Sequence, residues 1–198
     1  MLGGHLGTET FLNGVSTYLK NHAYGNATTN DLWAALSKAS GKNVKSFMDS
    51  WILKIGFPVL TVAEEPGQIG VRQSRFLSTG DVKAKDDETL WWIPLGLKTD
   101  PKATRAATTA LTAKEETLRD VDETFYKLNS DHLGYYRTNY PPARLEKLGA
   151  ERNKLSAEDK IGLVADAAAL AVAGQATTAG FLVFIEKFKD ETNKRYTH

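Results

Sequence analysis

The sequence predicts a mixed α and β chain whose two kinds of element lie in separate units, and three observations carry that expectation. In GKNVKSFMDSWILKIGFPVLTV, residues 41–62, the positions Val44, Phe47, Met48, Trp51, Ile52 and Ile55 recur at the spacing of one helical face. Gly56, Phe57 and Pro58 then stop that helix before a β-branched run. From 57 to 140 short β-branched and aromatic runs alternate with turn compositions, which favours a small antiparallel β-sandwich. From Pro141 onward the spacing is helical again, so the expected units are 1–56, 57–140 and 141–198.

Within the first unit, Phe11, Leu12, Val15 and Leu19 form one helical stripe with Thr8 placed to cap it, and Leu32, Trp33 and Leu36 form a second. HAYGNATTND lies between them; Gly25 and Asn26 suit a turn, and Thr29 or Asn30 can cap the next helix. Asn43 is the expected cap of the third helix. In the second unit the expected strands are FPVLTVA, QIGVRQSRF, LWWIPLGLK, RAATTALT, FYKLN and LGYYRTNY, separated by PG, STGD, KDDE and NSD. Pro94 marks an edge or a bulge.

In the third unit PPARLEKLG begins with prolines, which a helix tolerates at its start. Ser156 caps a helix with Ile161, Leu163, Val164, Ala167, Ala168 and Val172 on a broad apolar face. The last helix, about Thr177 to Lys189, carries Phe181, Phe184, Ile185 and Phe188. Two helices do not easily enclose such faces, so this segment reads as the opening of something larger. MLGGHLGTETF in turn reads as an interrupted helical pattern, with Met1 as an internal residue.

At 198 residues and 41% hydrophobic, the chain can bury a stable core without disulfides or metals. Its 25 basic and 24 acidic side chains leave a formal charge of +1, so no long-range field gathers nucleic acid or an anionic membrane. Cysteine is absent, which removes thiolate ligands, a Cys nucleophile and a disulfide framework, and fits a reducing compartment such as the cytoplasm. No apolar run reaches the roughly 18 to 20 residues that a membrane helix needs, and the N-terminus lacks a signal-peptide pattern.

A search for chemistry in the residues finds little. H-E-x-x-H, a Gly-rich phosphate loop and G-x-S-x-G are all missing, and the histidines are His5, His22, His132 and His198. His5 and Glu9 could meet on a helix, where a surface ion pair is the simpler reading than a metal site. Asp86, Asp87 and Glu88 form an acidic cluster that reads as solvated loop. LGYYRTNY interleaves aromatics with Arg137 in a way that could stack bases, but with balanced charge a half-buried strand explains it better. Trp91 and Trp92 are adjacent, so in a strand they face opposite sides, one of them inward. The residues themselves therefore supply no catalytic, substrate-binding or metal-binding position.

Taken in order, FLNGVSTYLKNHAYGNATTNDLWAAL, VKSFMDSWILKIGFPVLTV, VRQSRFLSTGD, LWWIPLGL, LGYYRTNY and LSAEDKIGLVADAAALAVAG resemble the zinc aminopeptidases related to aminopeptidase N and puromycin-sensitive aminopeptidase. The resemblance covers nearly the whole chain, although ETNKRYTH departs from the family pattern after Asn193. It implies a fragment that lacks the zinc-binding motif. The H-E-x-x-H, a downstream glutamate, the G-x-M-E-N segment and a tyrosine of the family would all lie upstream, and none of them maps onto a position of this chain. By resemblance, residues 1–56 are the last helices of the catalytic domain, 57–140 the β-sandwich, and 141–198 the first helices of the C-terminal helical domain. Zinc belongs to the parent enzyme, where it activates water for hydrolysis of a peptide's N-terminal residue, and none is expected in this chain.

The implied partners are the remainder of the aminopeptidase chain and, for the parent, a peptide substrate. Hinge motion between packed domains could gate the peptidase cavity. Exposed apolar helix faces would favour self-association. The alternative is a stand-alone peptide- or protein-binding scaffold that pairs a partner strand with an exposed sheet edge.

Overall fold

A computed structural model describes residues 1–80, 82–83, 87–100 and 109–190. Of the sequence expectations, Asp81 in STGD, Asp86, residues 105–108 of RAATTALT, and ETNKRYTH with His198 lie outside the described residues. The chain divides into two units, Met1–Ile55 and Gly56–His198.

The first unit is helical, with α1 (Leu2–Leu6), α2 (Thr8–Asn21), α3 (Thr29–Ser40) and α4 (Val44–Ile52). Its buried apolar side chains are Leu6, Trp33, Leu36, Val44, Phe47 and Met48. α2 turns Gly14 inward, where an added Cβ would lie 2.8 Å from Leu36 Cδ2, so α2 and α3 approach more closely than larger residues would allow. This splits the expected α2 stripe, leaving Leu12 and Leu19 exposed at 57% and 60%. The capping expectations also shift. Thr8 is the first helical residue and caps nothing, whereas Thr28 and Asp31 form a reciprocal capping box at the start of α3. Asn43 caps α4 as expected, its Oδ1 accepting from Ser46 N at 3.1 Å. α4 ends at Ile52, so Ile55 lies beyond the helix and is exposed.

The second unit holds a four-stranded sheet in the order β5-β2-β1-β6. β1 (Pro58–Glu65) and β2 (Gln68–Arg75) form an antiparallel hairpin closed by Pro66 and Gly67. Gly67 has a φ of 70°, the left-handed conformation that the second residue of such a turn requires. β5 (Glu115–Arg119) pairs antiparallel with β2, and β6 (Arg137–Asn139) pairs parallel with β1. The sheet is thus mixed rather than wholly antiparallel, because the chain returns to β1 by a long connection that allows parallel entry. A two-stranded ribbon of β3 (Ile93–Pro94) and β4 (Ala110–Leu111) lies apart in the hydrogen-bonding pattern, which puts Pro94 on an edge.

One expected strand is corrected, and one strand was not expected. FYKLN contributes only an isolated bridge between Lys127 and Lys98, and residues 125–130 are all buried with no period of two. EETLR, which lacks apolar alternation, forms β5 because an exposed edge strand needs none.

Three helices follow: α5 (Pro142–Ala150), α6 (Ala157–Val172) and α7 (Thr178–Glu186). Pro142 opens α5, Ser156 Oγ accepts from Asp159 N at 3.1 Å, and Thr177 Oγ1 accepts from Gly180 N at 3.1 Å. The inner face of α6 differs from the expected one. Asp159, Gly162, Leu163, Asp166, Ala167 and Leu170 are buried, whereas Ile161 and Val172 are exposed. Val59 and Phe76 from the sheet side pack with Leu170 and Ala173 from α6 in one apolar cluster.

Candidate functional site

A buried polar constellation lies where the sheet and the 125–131 segment meet helices α5 and α6. Asp159 and Asp166 are seven residues apart, two turns of one helix, so α6 turns both carboxylates to one buried side, Asp166 toward β6 and Asp159 toward the 127–131 segment. Asp159 Oδ1 lies 2.7 Å from Lys127 Nζ, and both side chains are at most 2% exposed. The same oxygen accepts from Asp131 N at 2.6 Å, and Lys127 Nζ also donates to the carbonyls of Leu128 and Asn129 at 3.0 and 2.9 Å. Burial lowers the Lys127 ammonium below its ordinary pKa, with the Asp159 carboxylate opposing.

Two turns further along α6, Asp166 Oδ2 accepts from the backbone N–H of Thr138 at 3.0 Å, and Oδ1 accepts from Arg137 Nη1 at 3.1 Å. Burial raises the Asp166 carboxyl to about 6, against the pull of the Thr138 N–H and of Arg137. The Arg137 guanidinium stacks 4.9 Å from the Phe76 ring centroid and 5.7 Å from that of Phe57.

The third contact runs from α5 to β1. Arg144 Nε donates to Glu64 Oε1 at 2.5 Å and its Nη2 to the Glu123 carbonyl at 2.9 Å, with the Tyr126 ring 4.1 Å beneath it. Tyr126 also donates to Glu64 Oε1, at 2.6 Å. Burial pushes the Glu64 carboxyl up, but the Tyr126 and Arg144 donors outweigh it and hold the pKa below the ordinary value.

None of these six residues, Glu64, Lys127, Asp159, Arg144, Asp166 or Tyr126, stood out in the sequence. Its one trace is the Asp pair seven apart inside an otherwise apolar helical stripe.

The positions weighed in the sequence are scattered. His5 lies in α1 with Nε2 3.1 Å from Lys42 Nζ and its ring edge-on to Phe47; burial and the Lys42 charge lower its pKa to about 4. Asp87 is bound rather than loose, meeting Arg72 at 2.9 Å and Lys114 at 2.9 Å. Trp91 is buried and Trp92 half-buried, as adjacent residues in extended chain should be. LGYYRTNY is a half-buried strand segment: Tyr136, Thr138 and Tyr140 point into the core and Arg137 is committed to Asp166.

Among the described residues the second unit holds at least two cavities. One of about 220 Å³ opens beside Arg144, Tyr126 and Glu64. Another, about 350 Å³, is mostly apolar and lies among α5, α6 and α7, lined by Leu145, Leu163, Leu170, Phe181 and Phe184. Among the described residues no three His, Asp or Glu side chains converge to hold a metal ion. No helix among them is long and apolar enough to cross a membrane.

Two family models match the chain. Residues 1–51 match the peptidase family M1 domain, and residues 125–196 match the ERAP1-like C-terminal domain, a match that begins upstream of β6 and runs through α5–α7. Over 192 residues the chain is 45% identical to "Aminopeptidase 2, mitochondrial" of Saccharomyces cerevisiae, covering 96% of this chain and 20% of that protein. The chain belongs to the M1 aminopeptidase family. It is also 46% identical over 191 residues to the alanine/arginine aminopeptidase of the same yeast, covering 96% of this chain and 22% of the relative. With the tricorn protease-interacting factor F2 of Thermoplasma volcanium it shares 34% identity over 191 residues, 96% of this chain and 23% of that protein. This M1-family chain spans about a fifth of the length of the curated relatives it matches. M1 aminopeptidases are zinc enzymes, and the described residues do not fit that ion. His5 is held against an ammonium group, and among the described residues it belongs to no group of three or more His, Asp or Glu side chains that could hold the ion.

Proposed function

We propose that this chain is an architectural segment of a zinc aminopeptidase that removes N-terminal residues from peptides, and that by itself it is catalytically inactive. One observation carries the reading: the chain aligns over 96% of its length with aminopeptidases of which it covers only 20–22%, while its described residues offer no ligand set for zinc. In the whole protein zinc would polarise the scissile carbonyl and activate water, using residues outside this chain.

Within that reading, residues 1–56 close the helical end of the catalytic domain, 57–140 form a β-sandwich, and 141–198 open the C-terminal helical domain. The sandwich assignment draws support from the inward alternation of Leu60, Val62, Ile69, Val71 and Gln73. Gln73 supports it further, because its buried amide joins the main sheet to the segment leading into the ribbon, through Trp91 N and O at 2.8 and 3.1 Å. The remainder of the aminopeptidase chain is the partner, and the cytoplasm is the compartment that a cysteine-free chain fits.

The test is zinc content of the purified chain together with release of an aminoacyl fluorophore under zinc supplementation. We expect neither metal nor turnover. Stoichiometric zinc with chelator-sensitive turnover would overturn the reading.

A further inference from the structure

We infer that the sheet and helices α5–α7 form one cooperative body with no hinge at the 140–141 join, locked by Asp159 and Asp166 of α6 and by Arg144 of α5. A hinge needs a short stretch of backbone able to absorb large φ and ψ changes, and contacts across it that part at little cost. Neither condition holds at this join.

The backbone there is stiff. Pro141 and Pro142 each fix φ near its helical or extended value, and the preceding Tyr140 is held by its hydroxyl, which accepts from Leu128 N at 2.8 Å. Motion of the helices against the sheet would have to turn about these three residues.

The contacts across the join do not part easily either. Opening it would separate Lys127 from Asp159, Arg137 from Asp166 and Glu64 from Arg144, and each pair has at least one side chain no more than 5% exposed. A buried charge stripped of its partner is strongly unfavourable, so the pairs must open together with solvent entry or not at all. Asp166 adds a second restraint, because it takes the backbone N–H of Thr138 on β6 and so performs, from a helix, the role of a further strand.

Close backbone approach seals the same surface. A Cβ on Gly162 of α6 would overlap the His132 ring, and one on Gly80, whose φ is 92°, would overlap the Ala173 carbonyl oxygen at the end of α6. Glycine is needed at both points so that elements from the two sides can touch. Any bending of the parent protein must therefore take place elsewhere, and the four-stranded sheet and helices α5–α7 travel as one.

Hydrogen exchange on the 198-residue chain, followed by mass spectrometry across a urea series, tests this. Peptides from β1–β2 and from α6 should show a common opening free energy and urea slope. In Asp166→Asn both should speed up by the same factor. A rise of about tenfold or more in α6 exchange while β1–β2 is unchanged would overturn the inference. A second measurement needs no perturbed core. The chain has no native cysteine, so spin labels at Thr117→Cys on β5 and Val172→Cys on α6, both exposed, can report their separation. One narrow distance distribution is expected, and two resolved populations would overturn the lock. Neither readout depends on the aminopeptidase reading, which the zinc and turnover assay tests separately.

Discussion

Asp166 carries the clearest consequence of burial for a single group. Its folded-state pKa is raised from 3.8 to about 6, so between those values the folded chain holds a proton that the unfolded chain releases. Stability from this group therefore falls as pH rises through that window, by about 1 kcal/mol between pH 5 and 7. Urea unfolding of wild type and Asp166→Asn at both pH values should show the wild type gaining on the variant at pH 5; a constant difference would contradict the assignment. Lys127 and Asp159 make a sharper case. Lys127→Met leaves a buried carboxylate uncompensated and should cost about 3–5 kcal/mol, whereas Lys127→Met with Asp159→Leu should recover most of that loss. Thermal melts of the single and double variants provide the comparison. None of this could be read from the sequence, because an aspartate in an alanine-rich helix looks like the solvent side until its partners on β6 and at Lys127 are known.

For elements, the ends are decided by local hydrogen bonds that neighbouring threonines can contest. Thr28 and Thr8 both precede or begin a helix, yet only Thr28 donates and accepts within a capping box, with Asp31 Oδ2 taking its N–H at 2.8 Å and its hydroxyl at 2.7 Å. Thr28→Ala should destabilise α3 by about 1 kcal/mol, and Thr8→Ala should be nearly silent. Far-ultraviolet circular dichroism through a thermal melt separates the two. Asn43 and Ser156 were legible as caps, since each is a short polar residue placed immediately before an apolar period, whereas Thr177, read as the first residue of the last helix, is its cap. Of the strands, β2 was legible because one face is buried and the other largely is not, which writes a period of two into the sequence, and β1 was legible as a β-branched run after a helix stop, with Val59 and Leu60 buried on opposite faces. β5 and the buried 125–130 segment escaped for opposite reasons. The first is exposed on an edge and the second is buried on all sides, so neither alternates.

The whole molecule exposes apolar side chains that its own elements do not cover: Leu12, Leu19, Ile52, Leu53 and Ile55 in the first unit, Leu182 and Val183 on α7. Self-association through such faces is the expected behaviour of the isolated chain. Light scattering should give a mass that rises with concentration, and a constant monomer mass would contradict it. Exposed Lys54, in the 53–55 stretch that ends the first unit, should also be an early tryptic site, releasing a helical fragment from a resistant remainder. The sequence by itself determined the succession of helices, strands and helices and the family resemblance, because periodicity and ordered motifs are local properties of the chain. Only the tertiary structure decided that β6 enters parallel, that α6 turns two aspartates inward, and that sheet and helices share one buried polar seam. Each of those depends on partners tens of residues away, such as Asp166 with Thr138 and Glu64 with Arg144, and no local pattern encodes such a pairing.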